Sequence, residues 1–317
     1  MTLETNKYFD WLCLMLVNFM WATQVIVIKL IGDRLGPVAI AFVPMILSTL
    51  LFLPVLLYEG KRQGRAPQWQ WQDAKHFLIA GLFGFFLLQF AYTLGAQRTL
   101  AANAAVITLS IPVLVAIAAS IMLGEKLTSV RVVGFLLALA GVLMTSIPDL
   151  RSSQFGVRRY LVGDLLFLVA CAASAFYNTY CKLLIDKKYT ELEVLVYTSA
   201  VASMFSIPLF IWVEPLRWAE ISRMNSGALG GVLELALVVY GASMLLFFSI
   251  LKRLDVTQAN LSSYALPFFM GLLAVLALKE TLTPFVIIGG GIVLVSTLAV
   301  TVYENEILAW LAQRRFS

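Results

Sequence analysis

Histidine occurs once in this chain of 317 residues, as His76. That scarcity excludes a histidine-rich metal site and makes any Ser-His-Asp triad depend on one side chain. His76 sits in the basic stretch Lys75-His76-Phe77 at the edge of an apolar run, which reads as an interfacial histidine. Cysteine is nearly as scarce: Cys13, Cys171 and Cys181 all fall inside apolar runs. On one helix, Cys171 and Cys181 would hold their Cα atoms about 15 Å apart, too far to bridge. No metal-ligand or redox spacing is present. Neither a Walker loop nor a G-x-G-x-x-G fingerprint occurs, which excludes ATP-driven transport, and no cofactor is expected. Charge is also sparse: Asp, Glu, Lys and Arg make up 13% of the chain, against roughly 25% in soluble domains.

Apolar residues fill the space those absences leave. They account for 61% of the sequence, against roughly 45–50% in soluble domains. No water-soluble fold of this length hides so much apolar surface, so the chain reads as a multi-pass membrane protein. Its net charge of +5 is spread over many loops. That suits a chain beside anionic lipid and gives no reason to expect nucleic acid as a partner. The N-terminus carries Glu4 and Asp10 and only Lys7 as a basic residue, then enters an apolar stretch too long for a cleavable signal. It reads as the first span.

A transmembrane helix needs about 20 apolar residues. Ten segments qualify: 9–31, 37–58, 76–96, 101–123, 130–147, 161–184, 192–213, 229–251, 257–278 and 284–303. Trp69, Trp71, Trp212, Trp218 and Trp310 fall at the expected interfaces, where indole rings prefer to sit. Residues 304–315 read as a short interfacial helix. The distribution of Lys and Arg favours both termini in the cytoplasm, with the chain in the cell membrane.

The two halves repeat. Arg98 pairs with Arg253, Ala104 with Ala259, Pro112 with Pro267, Glu125 with Glu280 and Gly134 with Gly289, all at an offset of 155. Pro54 pairs with Pro208 at 154, and Lys29-Leu30 with Lys182-Leu183 at 153. Residues 1–150 therefore form one copy, with spans one to five, and residues 151–317 a second, with spans six to ten. An odd number of helices per copy threads the second copy through the bilayer upside down. The expected fold is all-α, with ten transmembrane helices in a 5+5 inverted-topology repeat. Secondary transporters recur to that architecture because two equivalent halves can open to alternate sides.

The copies resemble the EamA-type domains of the drug/metabolite transporter superfamily. The matching residues are Asn18-Phe19-Met20-Trp21 and Lys29 in span one, with Pro112, Gly124-Glu125-Lys126-Leu127 and the run from Gly134 to Gly141-Val142 later in the first copy. In the second copy they are Pro267, Lys279-Glu280-Thr281-Leu282 and Gly289. The resemblance implies ten helices, cytoplasmic termini, and a central cavity lined by spans one, three, four, six, eight and nine. It implies a transporter, more usually an exporter, of small metabolites. Two positions depart from it. Phe42-Val43-Pro44 stands where many relatives carry an arginine in span two, and Ser174 stands where span six usually has tryptophan. The second departure implies a cavity asymmetric in its aromatic content.

Polar groups in hydrocarbon are costly unless partnered, so each is a functional candidate. Span one offers Asn18, Trp21 and Gln24; span three, Gln89 and Tyr92; span four, Thr108. Span six offers Tyr177 and Asn178, and span nine Asn260, Ser263 and Tyr264. Together they describe a neutral, hydrogen-bonding and aromatic cavity suited to amino acids or aromatic, amphipathic solutes. Glu234 is the acidic residue deepest in an expected span. A carboxylate is costly to keep charged there, which makes it the candidate for proton coupling or for a substrate amine. Glu125 and Glu280 sit at equivalent helix-end turns and read as structural, each favouring the positive end of a following helix. Pro112 and Pro267 interrupt spans four and nine, as hinges or as structural kinks. The expected partners are a small-molecule substrate, the bilayer and, for coupling, protons; oligomeric state is open. Three other readings compete, the first an uptake permease of the same fold. A membrane enzyme acting on a lipid-linked substrate needs clustered acidic residues such as D-D-x-x-D, and none occurs. A passive facilitator or lipid scramblase would share the repeat without concentrating its solute.

Overall fold

The computed structural model describes residues 7–123 apart from positions in the 63–69 loop, 157–215 apart from 188, and 225–280 apart from 255. It also describes scattered positions in 130–144 and 284–295. The described residues are helical, with no strand among them. Six helices are long and apolar enough to cross a membrane. They are α1 (Phe9–Ile31 within Lys7–Ile31), α2 (Pro37–Arg62), α3 (Trp71–Ala96), α6 (Tyr160–Asp186 within Val157–Asp186), α7 (Glu191–Trp212) and α8 (Ser226–Leu251). The helices α4 (Ala101–Thr108) and α5 (Ile111–Leu123) are bent by 41° relative to one another and, taken as one broken span, make a seventh candidate crossing. The last part of the described chain is α9 (Val256–Leu261), a 3₁₀ turn (Ser262–Ala265) and α10 (Leu266–Leu278). Most of expected spans five and ten, the residues 304–315, Glu125, Trp69, Trp218 and Trp310 lie outside the described residues.

Both breaks follow from proline. Pro112 and Pro267 stand at the second position of α5 and α10. A proline is tolerated there but cannot donate back into a preceding helix. The kink expected at Pro112 is therefore present as a broken helix, while Pro267 follows a 3₁₀ turn that leads into α10. A second irregularity has no such residue behind it. The segments Ala80–Phe86 of α3 and Leu235–Ala242 of α8 are π-helical, and their first residues are again 155 apart. Widened turns of this kind collect at functional sites.

Polarity is arranged inside out. Leu50, Leu53 and Leu57 of α2 and Met204, Ile207 and Ile211 of α7 face outward, while Asn18, Gln24, Gln89, Asn178 and Asn260 are buried. Trp71 and Trp212 are exposed at helix ends. Small residues bring inner helices together where side chains would hold them apart. A Cβ on Gly95 of α3 would lie 2.8 Å from the Phe167 nitrogen of α6. One on Gly163 of α6 would lie 2.5 Å from the Arg98 carbonyl carbon. Backbone meets backbone at this crossing, so neither contact can relax by a rotamer change.

Carboxylates fasten the ends. Glu214, after α7, accepts hydrogen bonds from the Val38 and Ala39 amides at 2.9 Å each, at the start of α2. Glu280, after α10, accepts from the Ala101 and Ala102 amides at 3.0 Å each, at the start of α4. Lys29 of α1 lies 3.6 Å from the same carboxylate and donates to the Thr99 carbonyl at 2.5 Å. Glu280 thus does engage the positive end of a helix. That helix belongs to the other half of the chain, where the sequence reading placed the carboxylate on the helix that follows it. Lys279 supplies the turn that aims Glu280, with a left-handed backbone (φ 55°, ψ 30°). Glycine, the residue that tolerates this conformation most readily, stands at the position 155 earlier, Gly124.

The Gly163 crossing yields a stability prediction. Gly163→Ala should destabilise the protein by about 1–3 kcal/mol through overpacking. Gly230→Ala, where an added Cβ meets nothing within 4 Å, should leave the melting temperature unchanged or slightly raised. Thermal unfolding of the two purified variants checks this, and equal melting temperatures contradict it.

Candidate functional site

A cavity of about 40 Å³ lies between α1, α3, α6, α8 and the two broken helices. That is room for about three water molecules. From α1 it takes Trp21 and Gln24, and from α3 Leu88, Gln89 and Tyr92. Thr108 and Ile111 flank the first break, and Asn260, Ser263 and Leu266 the second. Ala170, Cys171, Ser174 and Asn178 come from α6, and Met244 from α8. No charged side chain is in this lining.

The lining polar groups are held by one another. Gln24 donates to Gln89 Oε1 at 2.8 Å and to the Tyr240 hydroxyl at 3.4 Å. Trp21 donates its indole N–H to Ser243 Oγ at 2.9 Å, and its ring packs against Phe247 at 5.1 Å. Asn178 donates to Asn260 Oδ1 at 3.4 Å, and Asn260 donates to the Val256 carbonyl at 2.8 Å. The Tyr92 ring lies 4.5 Å from that of Phe167. Fixed rotamers of this kind present a pre-formed surface to a solute.

Three of the candidate residues lie beside the cavity and not in its lining. Asn18 is fully buried one turn before Trp21, and donates to the Leu14 carbonyl at 2.8 Å and to Ser262 Oγ at 2.9 Å. Its Oδ1 has no hydrogen-bond partner. Tyr177 is fully buried in an aromatic cluster, stacked on Phe85 at 5.1 Å, with its hydroxyl 2.8 Å from Thr198 Oγ1. Tyr264 is half-buried on the 3₁₀ turn. Glu234 also stands outside the lining. It is half-buried on α8 and accepts a hydrogen bond from Thr23 Oγ1 of α1, and its Oε2 is buried without a partner. A second deep carboxylate was not singled out in the sequence. Asp164 of α6 is 2% exposed and is held by Thr99 Oγ1 and, at 3.4 Å, Asn103. Its helix begins earlier than the hydropathy suggested, at Val157 in place of 161, which sets Asp164 deeper in the helix.

The lining also uses residues that composition alone did not mark. Paired positions contribute together: Trp21 with Ser174 at the 153 offset, and Gln89 with Met244, Thr108 with Ser263 and Ile111 with Leu266 at the 155 offset. Ser174 was marked in the sequence as the span-six position where tryptophan is usual, and Met244 is found by following the repeat from Gln89. The halves thus supply the same positions with different chemistry, and the indole has only a serine opposite it.

His76 and its neighbours form a separate group at the other end of the bundle from Glu280. His76 Nδ1 lies 2.7 Å from the Tyr180 hydroxyl, and Asp73 takes hydrogen bonds from Lys187 at 2.9 Å and Tyr189 at 3.0 Å. These contacts join the start of α3 to the α6–α7 turn. None of these residues reaches the cavity. The three cysteines are free and buried, and no group of three metal-binding side chains occurs among the described residues.

Comparison with known proteins places this arrangement. An uncharacterized transporter of Archaeoglobus fulgidus is 26% identical over 90% of this chain and 95% of its own. A protein of Streptantibioticus cattleyicolor named as a probable terminal-alkyne amino-acid exporter is 23% identical, over 88% of this chain and 89% of that one. An S-adenosylmethionine uptake transporter of Rickettsia bellii is 25% identical, over 73% of this chain and 71% of that one. A solved crystal structure 20% identical in sequence superposes with a TM-score of 0.65 over 95% of this chain and 99% of its own, and so has the same fold. The EamA-like transporter family model matches twice, at residues 10–147 and 161–302. With both halves matched, this multi-pass membrane protein belongs to the EamA-like transporter family.

Proposed function

We propose that this chain is a secondary transporter that exports a small amino-acid-like or aromatic, amphipathic solute across the cell membrane by alternating access. The observation that carries the reading is the cavity. Its lining joins amide, hydroxyl and aromatic side chains, holds no charge, and draws on six helical units of both halves. Such a surface suits a solute with an apolar body and a few hydrogen-bonding groups. Two of the relatives support the same class, since the solutes in their names both carry an α-amino-acid group. One of those names denotes export and the other uptake, so direction rests on the transport measurement below.

Alternating access supposes two inverted halves of five helices, and the twofold family match and the prolines at equivalent positions of α5 and α10 support that arrangement. A 40 Å³ space is too small for an amino acid, so the helices around it must part to admit one. On one side that motion has to loosen Glu280 from the start of α4 and from Lys29. Glu234 is the proposed proton-coupling group. Its unpartnered Oε2 and its Thr23 contact on α1 set it between two of the helices that line the cavity.

Counterflow in proteoliposomes tests both parts. Vesicles preloaded with unlabelled amino acids should accumulate labelled amino acid transiently, and an imposed proton gradient should raise the plateau. In Glu234→Gln vesicles counterflow should persist while the proton gradient loses its effect. Absence of counterflow with every amino acid contradicts the substrate class, and an unchanged pH response in Glu234→Gln removes the coupling role.

The topology carries its own test. Both termini are proposed to lie in the cytoplasm, because most Lys and Arg then fall on that side. Reporter tags at the two ends should respond as cytoplasmic; one tag on each side of the membrane contradicts the ten-span arrangement.

A further inference from the structure

Each half ends its first helix with the same two charges at the same spacing. Lys29 and Asp33 stand four residues apart, as do Lys182 and Asp186, 153 residues later. Like residues at equivalent places make like contacts only where the two halves have one shape. Here the contacts differ. Lys182 lies 3.1 Å from Asp186 along its own helix and donates to the carbonyl of Leu251, the last residue of α8, at 2.7 Å. Lys29 reaches past Ala96, the equivalent of Leu251, and donates to the Thr99 carbonyl at 2.5 Å. It also reaches across to the second half, 3.6 Å from Glu280. Asp33 is exposed and makes no ion pair with a described residue.

The two helices end differently to match. The helix α6 runs on to Asp186, while α1 stops at Ile31 and leaves Asp33 on the turn beyond it. In that turn the Arg34 and Leu35 amides both donate to the Ile31 carbonyl, at 3.0 and 3.1 Å. Gly32 stands where α6 has Ile185, and glycine holds a helical turn only weakly. Lysine has a flexible four-carbon stem, which lets one ammonium serve two neighbouring carboxylates in turn. The Lys29 side chain is only 18% exposed. When Glu280 leaves it, its ammonium needs another anion, because a charge largely shielded from water is costly without a partner. Asp33 stands at the spacing that Asp186 already uses.

We propose that Lys29 is a two-position switch: it holds Glu280 while its end of the bundle is closed and turns to Asp33 when that end opens, the arrangement that Lys182 and Asp186 now show. This rests on the alternating-access reading above and names the residues that carry the change of state. In the first position Lys29 ties α1 to the carboxylate that also caps α4. In the second its charge is paired within its own half, so the halves part without leaving an ammonium unpartnered. The two lysines take these positions in turn, one in each half.

A purely structural Lys29 gives Asp33→Asn no effect, since Asp33 is exposed and outside the clamp. The switch gives it one, and gives the equivalent change in the other half the opposite sign. The reporter is Ser263→Cys, at a cavity position, in the full chain with Cys13, Cys171 and Cys181 replaced by alanine. It is labelled by a membrane-impermeant maleimide in right-side-out and inside-out vesicles. Labelling of Asp33→Cys identifies the face on which Asp33 lies. From that face Asp33→Asn should slow labelling about twofold, the scale of one ion pair along a helix, and Asp33→Glu should restore it. Asp186→Asn, which weakens the present hold on Lys182, should speed it about twofold. Glu280→Gln should speed it about tenfold, since hydrogen bonds to a carboxylate are the stronger hold. Equal labelling in the reporter chain, Asp33→Asn and Asp186→Asn, or a change of the same sign in both variants, overturns the switch and leaves alternating access standing. Labelling from the opposite face alone, in the reporter chain and in Glu280→Gln alike, overturns both.

Discussion

Every amide and carbonyl that enters hydrocarbon must find its partner within the protein. Among the described residues that demand is met by long helices, with irregular turns before α5 and α10 at equivalent positions of the two halves. The α4/α5 break and the 3₁₀ turn before α10 bring proline-flanked turns to one cavity. The π-helical segments of α3 and α8 lie one turn before Gln89 and Met244, which line the same space. Hydroxyls of Thr108, Ser110 and Ser262 close back onto nearby carbonyls, so the irregular backbone is patched locally where it can be.

The ends of the helices obey the same demand with stronger partners. The first amides of a helix lack internal acceptors. Glu214 and Glu280 meet that need for α2 and α4, each with two hydrogen bonds from a carboxylate. Both carboxylates follow second-half helices and both targets open first-half helices, so the capping joins the halves at one end of the bundle. Gly36 makes the first contact possible, since a Cβ there would come within 2.3 Å of the Glu214 carboxylate. At the other end, Asp10 meets Arg253 at 2.8 Å and Glu191 meets Lys252 at 2.5 Å. These are side chain to side chain; Arg253, Lys252 and Glu191 are partly exposed, while Asp10 is buried.

Much of this was legible in the sequence, for physical reasons that differ by residue. Hydropathy located the long helices because lipid imposes a length on them. Polarity located Trp21, Gln24, Gln89, Asn178 and Asn260, because buried amides and indoles are rare in hydrocarbon without a partner or a purpose. The same rule misplaced Tyr177 relative to the lining, since its hydroxyl is satisfied by Thr198 inside an aromatic cluster. Met244 carries no polarity and emerges only through its repeat partner Gln89. The target of Glu280 was not legible, because a capping carboxylate announces its function but not which of several helix starts it meets. Asp164 was passed over because its helix starts earlier than hydropathy implied. The π-helical segments have no residue signature at all.

Family membership makes the chain a transporter; the proposed mechanism opens its cavity in turn to each side of the membrane. Ser174 lines that cavity opposite Trp21 and is a small hydroxyl that cysteine replaces closely. The direct measurement is labelling of Ser174→Cys by a membrane-impermeant maleimide, with Cys13, Cys171 and Cys181 replaced by alanine, in right-side-out and inside-out vesicles. Alternating access predicts labelling from both faces, and protection from both by a transported amino acid. Labelling from one face only, with and without the solute, would contradict it.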